Sequence, residues 1–403
     1  MKRNQFLILV AVLVVLIAAG AGVAWRQQGQ FRGADARVGK PLIPGLVVAN
    51  VSGILIRDPG GEVTLEQKDG SWHVQERGGY SASVERIGEF LAKLAGLKIA
   101  EAEPLADSQL GRLQLLEPKG PQVKEGGTAV ELKDKTGKPV AKLLLGKKVV
   151  KQSATTAPTK GAPEPSGRYV ADSNQPGSLL VVSDPLSVAE AKPELWLAKD
   201  LIRVHGAKQM SSVSPDGKVR WSVARDSESA DWKSTLPARK VDNNKVQDLV
   251  SVLIYIALAD VASDTPDAGF NRNPTLKVST FDNLNYSLNF GDQHGDLRYL
   301  RISLNGNPPD ARVPAKNESA EDKAKKDKEF EENHKGLLMQ LEREKKLEGW
   351  TFLVRNSDVE ALLRDRAQLA PEEKGDKGEV AKNNGKAAKS KGKAAKKNSR
   401  ATR

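Results

Sequence analysis

The stretch that decides the fold is GSWHVQERGGYSASVERIGEFLAKLAGLKIAE, residues 70–101. It begins as a tryptophan-bearing strand and continues into a helix whose apolar residues recur every three to four positions. The same order returns as ADWKSTL at 230–236 and DNNKVQDLVSVLIYIALAD at 242–260. Trp72 corresponds to Trp232 at an offset of 160 residues. Equal order along the chain predicts a duplicated domain.

The correspondence extends along both halves of the chain. Glu101 corresponds to Asp260 at an offset of 159. Three further pairs of segments echo each other: LLLGKK (143–148) with LNFGDQ (288–293), RYV (168–170) with RYL (298–300), and VVSDPLSVAEAKPELW (181–196) with LVRNSDVEALLRDRAQL (353–369). These pairs predict a first repeat at 44–200 and a second repeat at 201–370.

Each repeat combines short strand patterns with one amphipathic helix, and its turns are rich in Gly, Pro and Asp. Such short turns join antiparallel strands, because parallel strands need long crossovers. Ser83 and Asp242 are placed to cap the two helices. The predicted apolar stripes are Val84, Ile87, Phe90, Leu91 and Leu94 in the first helix, and Val246, Leu249, Val250, Leu253 and Ile254 in the second. The sequence therefore predicts an α+β fold, two tandem repeats of antiparallel sheet with one packed helix each.

An apolar run precedes the repeats. FLILVAVLVVLIAAGAGVA (6–24) has 19 residues without a charge or proline, which suffices to cross a hydrocarbon core of roughly 30 Å. Two basic residues precede it and Trp25 follows, so we expect a cytoplasmic N-terminus and an exported body. This predicts a cytoplasmic stub and transmembrane helix at 1–25 and a linker at 26–43. A cleaved signal peptide is the alternative. The residues expected to anchor the chain in the membrane are Phe6, Leu7, Leu9, Leu13, Leu16, Ala24 and Trp25.

The charge is concentrated at the C-terminus. Of a net charge of +12, nine units come from residues 380–403, which contain no acid. The nearly neutral body argues against a basic nucleic-acid-binding fold. Residues 371–403 are predicted to be a disordered basic tail. It binds polyanions non-specifically in one hypothesis and only solubilises the chain in the other. The polyanion-binding candidates are Lys382, Lys386, Lys389, Lys391, Lys393, Lys396, Lys397, Arg400 and Arg403.

A charged segment interrupts the second repeat. Residues 315–348 are dense in Glu and Lys and form helix readily. A solvated helical arm is the preferred interpretation, and a partner-binding coiled coil is the alternative. The apolar residues that could dock the end of the arm are Leu337, Leu338, Met339 and Leu341.

No motif for catalysis or metal binding emerges from the sequence. The chain has no cysteine, which excludes disulfides, thiolate catalysis and zinc–cysteine sites. Its four histidines are isolated: His73, His205, His294 and His334. Gly291–Asp296 could form a metal loop, but a hairpin turn is the preferred interpretation. Gly146-Lys147-Lys148 lacks the glycine and hydroxyl spacing of a phosphate loop.

Acidic and aromatic residues also favour structural roles. A solvated helix face accounts for Asp184, Glu190, Glu194 and Asp200, although a hydrolase with paired carboxylates stays open as a third hypothesis. Core packing is expected for Trp72, Trp196, Trp221 and Trp232. We therefore predict no catalytic, cofactor-binding or metal-binding residue and no small-molecule substrate.

The chain resembles bacterial membrane-anchored proteins that carry the domain of unknown function 4340. The resemblance rests on PLIPGLVVANVSGILI after the apolar run, on the stretch quoted first, and on QLGRLQLLEP, VELKDKTGKPVAKLLLGKK, GRYV and VVSDPLSVAEAKPELWLAKDL. It implies a single-pass protein of the bacterial inner membrane with a periplasmic body and no assigned activity. The resemblance also extends to proteins encoded beside gliding-type ABC exporter components, which implies an accessory role.

Three hypotheses for function follow. The first is a non-catalytic scaffold or accessory subunit, with protein partners in an ABC-type exporter or envelope assembly. The second is an envelope tether that binds an anionic polymer through the basic tail. The third is the envelope hydrolase. No specific nucleic acid and no cofactor are expected.

Overall fold

The computed structural model describes the body of the chain. The described residues are 35–120, 123–150, 165–172, 176–237, 240–262, 267–314 and 318–371. The predicted anchor residues, the first half of the linker and all the polyanion-binding candidates lie outside these ranges. Within them, no helix is both long and apolar enough to cross a membrane.

The first sheet is antiparallel and has the spatial order β4-β3-β2-β1-β6-β7-β8-β9-β5. Its strands are β1 (Gly53–Asp58), β2 (Gly61–Lys68), β3 (Ser71–Val74), β4 (Tyr80–Ser81), β5 (Ile99–Pro104), β6 (Thr128–Lys133), β7 (Pro139–Val149), β8 (Gly167–Ala171) and β9 (Ser178–Val182). Turns such as Lys68-Asp69-Gly70-Ser71 join neighbours directly, and Gly70 supplies the positive φ that such a turn requires.

The second sheet is also antiparallel and has the order β12-β11-β10-β14-β15-β16-β17-β13. Its strands are β10 (Ala207–Val213), β11 (Val219–Ala224), β12 (Lys233–Ser234), β13 (Leu258–Val261), β14 (Thr275–Thr280), β15 (Leu284–His294), β16 (Leu297–Gly306) and β17 (Phe352–Arg355). This order matches the first sheet strand for strand once β4 is set aside. The predicted α+β class with two antiparallel sheets is confirmed.

Few helices accompany the sheets in the described residues. They are α1 (Val84–Gly96), α2 (Pro193–Trp196), α3 (Asn243–Ile254), α4 (Ala320–Lys345), α5 (Asn356–Val359) and α6 (Arg366–Leu369). Single 3-10 turns lie at Val48–Asn50, Gln75–Arg77, Asp107–Gln109 and Glu360–Leu363.

Helices α1 and α3 begin where their caps predict. The Ser83 hydroxyl accepts from the Arg86 N–H at 3.2 Å, and the Asp242 carboxylate accepts from the Asn244 N–H at 2.9 Å. The predicted stripes are buried except at their margins: Val84 is 65% exposed, and Ile254 is half-buried. Both residues lie about 70–90° around the helix from the centre of the stripe, so they miss the sheet.

One hydrophobic core runs through both repeats. The four tryptophans predicted to pack in the core are all buried. Trp196 packs edge-to-face on Phe90 of α1 with ring centroids 5.6 Å apart, and its indole N–H donates to the Glu190 carbonyl at 2.8 Å. Placing the polar edge of the ring on a carbonyl allows the large apolar surface to be buried without an unpaired donor.

Both sheets carry the same bulge, at Gly146 in β7 and at Gly291 in β15, where the strand register shifts. In each, the arginine of the RYV or RYL echo donates to the glycine carbonyl: Arg168 Nε to Gly146 O at 2.8 Å, and Arg298 Nη1 to Gly291 O at 2.7 Å. Burial lowers the pKa of Arg168 to about 10. The segment 291–296 is thus a bulge followed by a hairpin turn, as the preferred interpretation predicts.

A loop closes over each bulge. The N–H of Lys147 donates to Leu113 O at 2.8 Å, and the N–H of Asp292 donates to Ala268 O at 2.7 Å. The next residue in each loop, Gln114 or Gly269, has a positive φ of 55° or 70°. We call 113–115 and 268–273 the clasp loops. Their correspondence is visible in the backbone and hardly at all in the sequence.

Helix α4 lies between β16 and β17, in the predicted insertion. Most of it is solvated, but Leu341 and Glu344 near its C-terminal end are buried. The prediction of a docked end is right for Leu341 and half right for Leu337, which is partly buried. It is wrong for Leu338, which lies about 90° around the helix from the buried side, and for Met339, which lies nearly opposite that side; both face solvent.

Candidate functional site

The chain that joins the repeats lines a groove of about 400 Å³ at the C-terminal end of α3. We call it the junction groove, and its residues are Lys199, Asp200, Leu201, Ile202, Arg203, His205, Ile254, Tyr255, Ile256 and Ala257. One wall is the segment 199–205, and the other is the end of α3 with the residues that lead into β13.

The groove is the second repeat's version of an element that both repeats share. An isolated antiparallel bridge joins Asp200 to Ala257, and the same kind of bridge joins Pro41 to Lys98. Both members of the first bridge lie 159 residues after those of the second, which is the offset found from Glu101 to Asp260. The walls therefore follow from the duplicated architecture.

Tyr255 makes the second copy different. It is 79% exposed at the mouth of the groove, and its equivalent in the first repeat is Gly96. A large aromatic side chain held in water beside a concavity is typical of a binding surface, because its ring offers contact area at little conformational cost. The replacement of glycine by tyrosine is the main difference between the two repeats at this end of the helix.

Basic groups dominate the polar lining. Lys199 Nζ donates to Glu194 O at 2.7 Å and to Ala259 O at 2.9 Å, one carbonyl from each repeat. Desolvation lowers the pKa of Lys199, partly offset by the nearby carboxylates. Arg203 Nη2 donates to Asp200 Oδ1 at 3.0 Å. With His205 exposed beside them, this lining favours a ligand group that carries negative charge.

The end of α4 fixes the segment that carries Arg203. Glu344 has a side chain with 0% exposure, and its carboxylate accepts from Tyr286 Oη at 2.9 Å and from Arg203 N at 3.3 Å. Gln340 Nε2 donates to Arg203 O at 3.1 Å. Burial, with Glu344 alongside, raises the pKa of Tyr286. Helix α4 therefore stabilises the wall of the groove that carries Arg203.

A polar and aromatic joint next to the groove holds the repeats together. Arg77 forms a bidentate pair with Asp260, at 2.6 and 2.8 Å, and lies 3.7 Å from Glu194. Hydrogen bonding to Asp260 raises the pKa of Arg77. Tyr80 packs edge-to-face on Trp350 with centroids 5.1 Å apart, and burial raises its pKa to about 12. We call Arg77, Tyr80, Asp260 and Trp350 the repeat joint.

The four acids that the sequence offered for catalysis each have a partner other than a second carboxylate. Glu190 lies 3.3 Å from Lys192, and Asp184 accepts from the Leu186 N–H at 2.6 Å. Glu194 lies beside Arg77 of the joint, and Asp200, in the groove, lies beside Arg203. Because each acid has its own partner, the paired-carboxylate hydrolase gains no support from these four residues.

The histidines in the described residues do not form a metal-binding cluster either. His73 Nδ1 lies 2.8 Å from Gly79 O, and His334 stacks on Phe330. Among the described residues, no group of three or more His, Asp or Glu side chains could hold a metal ion.

Sequence patterns gave little warning of the junction groove. Tyr255, Lys199 and Arg203 belong to no motif, and His205 reads as an isolated histidine. One signal was present: aligning α1 with α3 at the offset of 159 sets Tyr255 opposite Gly96. The chemistry of the groove suits recognition of an aromatic or acidic group.

A family model described as Domain of unknown function (DUF4340) matches residues 72–273, half of the chain. No curated protein and no solved structure matches the chain. The matched segment runs from β3 into the second clasp loop, so it includes the junction groove and both charged partners of the repeat joint.

Proposed function

We propose a scaffold function for this protein, which belongs to the DUF4340 family. In this proposal it is a non-catalytic, membrane-anchored periplasmic accessory subunit of an ABC-type exporter or related envelope assembly. A protein partner docks at the junction groove. The observation that carries the proposal is Tyr255, 79% exposed where the first repeat has Gly96.

The surroundings of the groove support a docking role. Its walls are fixed to both repeats, through Lys199 to carbonyls on either side and through Glu344 to Arg203. A surface that is already ordered loses less conformational entropy when a partner binds. The single core and the repeat joint keep the walls of the groove ordered before a partner binds.

The class of partner is inferred from charge and from the family resemblance. The groove offers Lys199, Arg203 and His205 against one acid, Asp200. A partner segment with a carboxylate beside an aromatic or aliphatic side chain complements this lining. The export of the body and the ABC-type assembly rest on the apolar run at 6–24 and on the resemblance.

Site-specific photo-crosslinking in native membranes tests the docking proposal. A photoreactive amino acid replaces Tyr255 in one full-length variant and Gly96 in another. Gly96 is the matched control because it is exposed, occupies the equivalent position, and has open space for a side chain. We expect crosslinks to a transporter or envelope protein at Tyr255 and few at Gly96. Equal labelling at both positions, or no protein product at Tyr255, would overturn the proposal.

The basic tail favours a second candidate function. Residues 380–403 carry nine basic residues and no acid, a composition that binds polyanions with steep salt dependence. We propose that it tethers the protein to an anionic envelope polymer. Deleting 380–403 should abolish retention on acidic polysaccharide at low salt, and unchanged retention would end this idea.

A further inference from the structure

Three valines near the start of the described chain face solvent. They are Val38, Val47 and Val48, and Val47 is 53% exposed. Leu42 and Leu46 lie between them and pack against the core, which fixes this segment to the first repeat. We call the three residues the valine surface.

The valine surface belongs to an insertion that the second repeat lacks. Gly53, the first residue of β1, lies twelve positions after the bridge residue Pro41, whereas Ala207, the first residue of β10, lies only seven positions after Asp200. The additional residues form the 3-10 turn Val48–Asn50 and expose Val47. Only the repeat next to the N-terminus has this feature.

The position of the valine surface along the chain points to what covers it. Ten residues, 25–34, lie between the apolar run at 6–24 and Asp35, where the described chain begins. Even fully extended, ten residues reach only about 35 Å. If the run spans the membrane, as the proposed function requires, Asp35 lies within that reach of the bilayer, and Val38 is the third residue after it.

The chemistry of the segment fits a lipid surface. Valine side chains gain free energy on leaving water, and a cation beside them attracts anionic headgroups. Lys40, which lies between Val38 and Val47 in the sequence, is exposed. Arg37 is held by Asp35 and by Asp172, at 2.6 Å to the latter, so the chain leading into the surface is fixed in place.

We infer that Val38, Val47 and Val48 rest on the surface of the same bilayer that holds the N-terminal anchor. This inference depends on the proposed membrane anchorage. Contact through the valine surface sets the orientation of the first repeat and leaves the second repeat, with its junction groove, free to meet a partner.

Fluorescence quenching by lipid tests the inference on the full-length chain. The protein has no cysteine, so Leu13→Cys, Val47→Cys and Val219→Cys each give one label site. Each variant carries a bimane label in vesicles of phosphatidylethanolamine and phosphatidylglycerol with a brominated lipid as quencher. Val219 is the matched control, a valine of the second repeat that is 49% exposed.

Expected results separate the inference from the proposed anchorage. We expect strong quenching at residues 13 and 47 and none above background at 219. Quenching at 13 with only background at 47 would overturn the inference and leave the anchorage standing. Absence of quenching at 13 would overturn the anchorage and the inference together. Equal quenching at 47 and 219 would also overturn it, because contact would then lack the predicted orientation.

A second variant tests the apolar contact itself. The label is placed on Val38→Cys, and Val47→Asp with Val48→Asp is added. Both valines are exposed, so this change spares the core. We expect the quenching at residue 38 to be lost, while the thermal transition stays in place. Unchanged quenching would show that the valines do not make the contact.

Discussion

The two repeats have kept the same interior and changed their surfaces. Both have the same strand order, a capped helix, a glycine bulge closed by an arginine, and a clasp loop. They differ where they meet solvent: Tyr255 replaces Gly96, the valine surface occurs once, and α4 is inserted once. A close-packed interior tolerates few changes, whereas surface positions change at little cost in stability. Function is therefore best sought where the copies differ.

The clasp loops illustrate the same contrast on a small scale. The first packs through Leu115, which is buried against Gly146. The second is held by Arg272, which pairs with Asp267 at 3.0 Å and with Asp292, while the ring of Phe270 lies under Arg301. One backbone arrangement is thus stabilised by apolar packing in one copy and by charge in the other.

The largest effect should come from the shared core. Phe90→Ala and Leu249→Ala remove equivalent, fully buried helix side chains. We expect losses of about 3–5 kcal/mol for Phe90 and about 2–5 kcal/mol for Leu249 in chemical denaturation. Val84→Ala, at an exposed helix position, is the control and should change little. Because one core spans both repeats, both variants should lower a single transition. Two separate transitions, each moved by one variant, would break the comparison.

The bulge glycines should be equally intolerant of a side chain. A Cβ at Gly146 would lie 2.5 Å from Leu113 O, and one at Gly291 would collide with Ala268 O. Gly146→Ala and Gly291→Ala should each cost about 1–3 kcal/mol through overpacking. Gly88→Ala in α1 meets nothing and should instead stabilise by about 0.5–1 kcal/mol. Thermal unfolding of the three variants checks this, and a mild effect at either bulge would contradict the shared role.

Substitution of two acids at equivalent positions should differ in its cost to stability, because only one of them belongs to the repeat joint. Asp260 pairs with Arg77, and their side chains are only 20% and 19% exposed, whereas Glu101 is exposed. Asp260→Asn should cost about 1–2 kcal/mol, between the values for surface and buried pairs. Glu101→Gln should cost almost nothing. Denaturation at low and high salt measures both, and equal effects would show that the joint does not depend on this pair.

The smallest expected effect is a local loss of stability in the second clasp loop at acidic pH. Hydrogen bonds from Arg272 lower the pKa of both Asp267 and Asp292 below the ordinary 3.8. Their contribution to stability is therefore present above pH 3.8 and is lost as the pH falls through the lowered values. We expect hydrogen-exchange protection at 268–273 to fall there, while protection at 113–115 persists.

Asp292→Asn supplies the control for the acid experiment. It should remove most of the difference in pH dependence between the two clasp loops, because the amide does not titrate. If both clasp loops of the unmodified protein lost hydrogen-exchange protection at the same pH, the conclusion would be contradicted that charge stabilises one loop and apolar packing the other.

Much of the fold could be predicted from the sequence, because it depends on local patterns. Alternating strands, the two helices and the caps Ser83 and Asp242 follow from periodicity and from backbone hydrogen bonding. The errors lie at the margins of the pattern, such as Val84, where the geometry of the sheet decides which side of a helix is covered. The junction groove was missed, because a pocket requires knowing which loops meet.

What the sequence by itself determined is the duplication, the α+β class and the core residues, since each is written in spacings of a few residues or in one constant offset. Tertiary structure alone decided the rest. Arg77 meets Asp260 across 183 positions, and Tyr286 meets Glu344 across 58. Burial of a charge and exposure of Tyr255 depend on how two packed units are placed against each other. No local pattern encodes that placement, because it is fixed by the sum of many contacts across the joint.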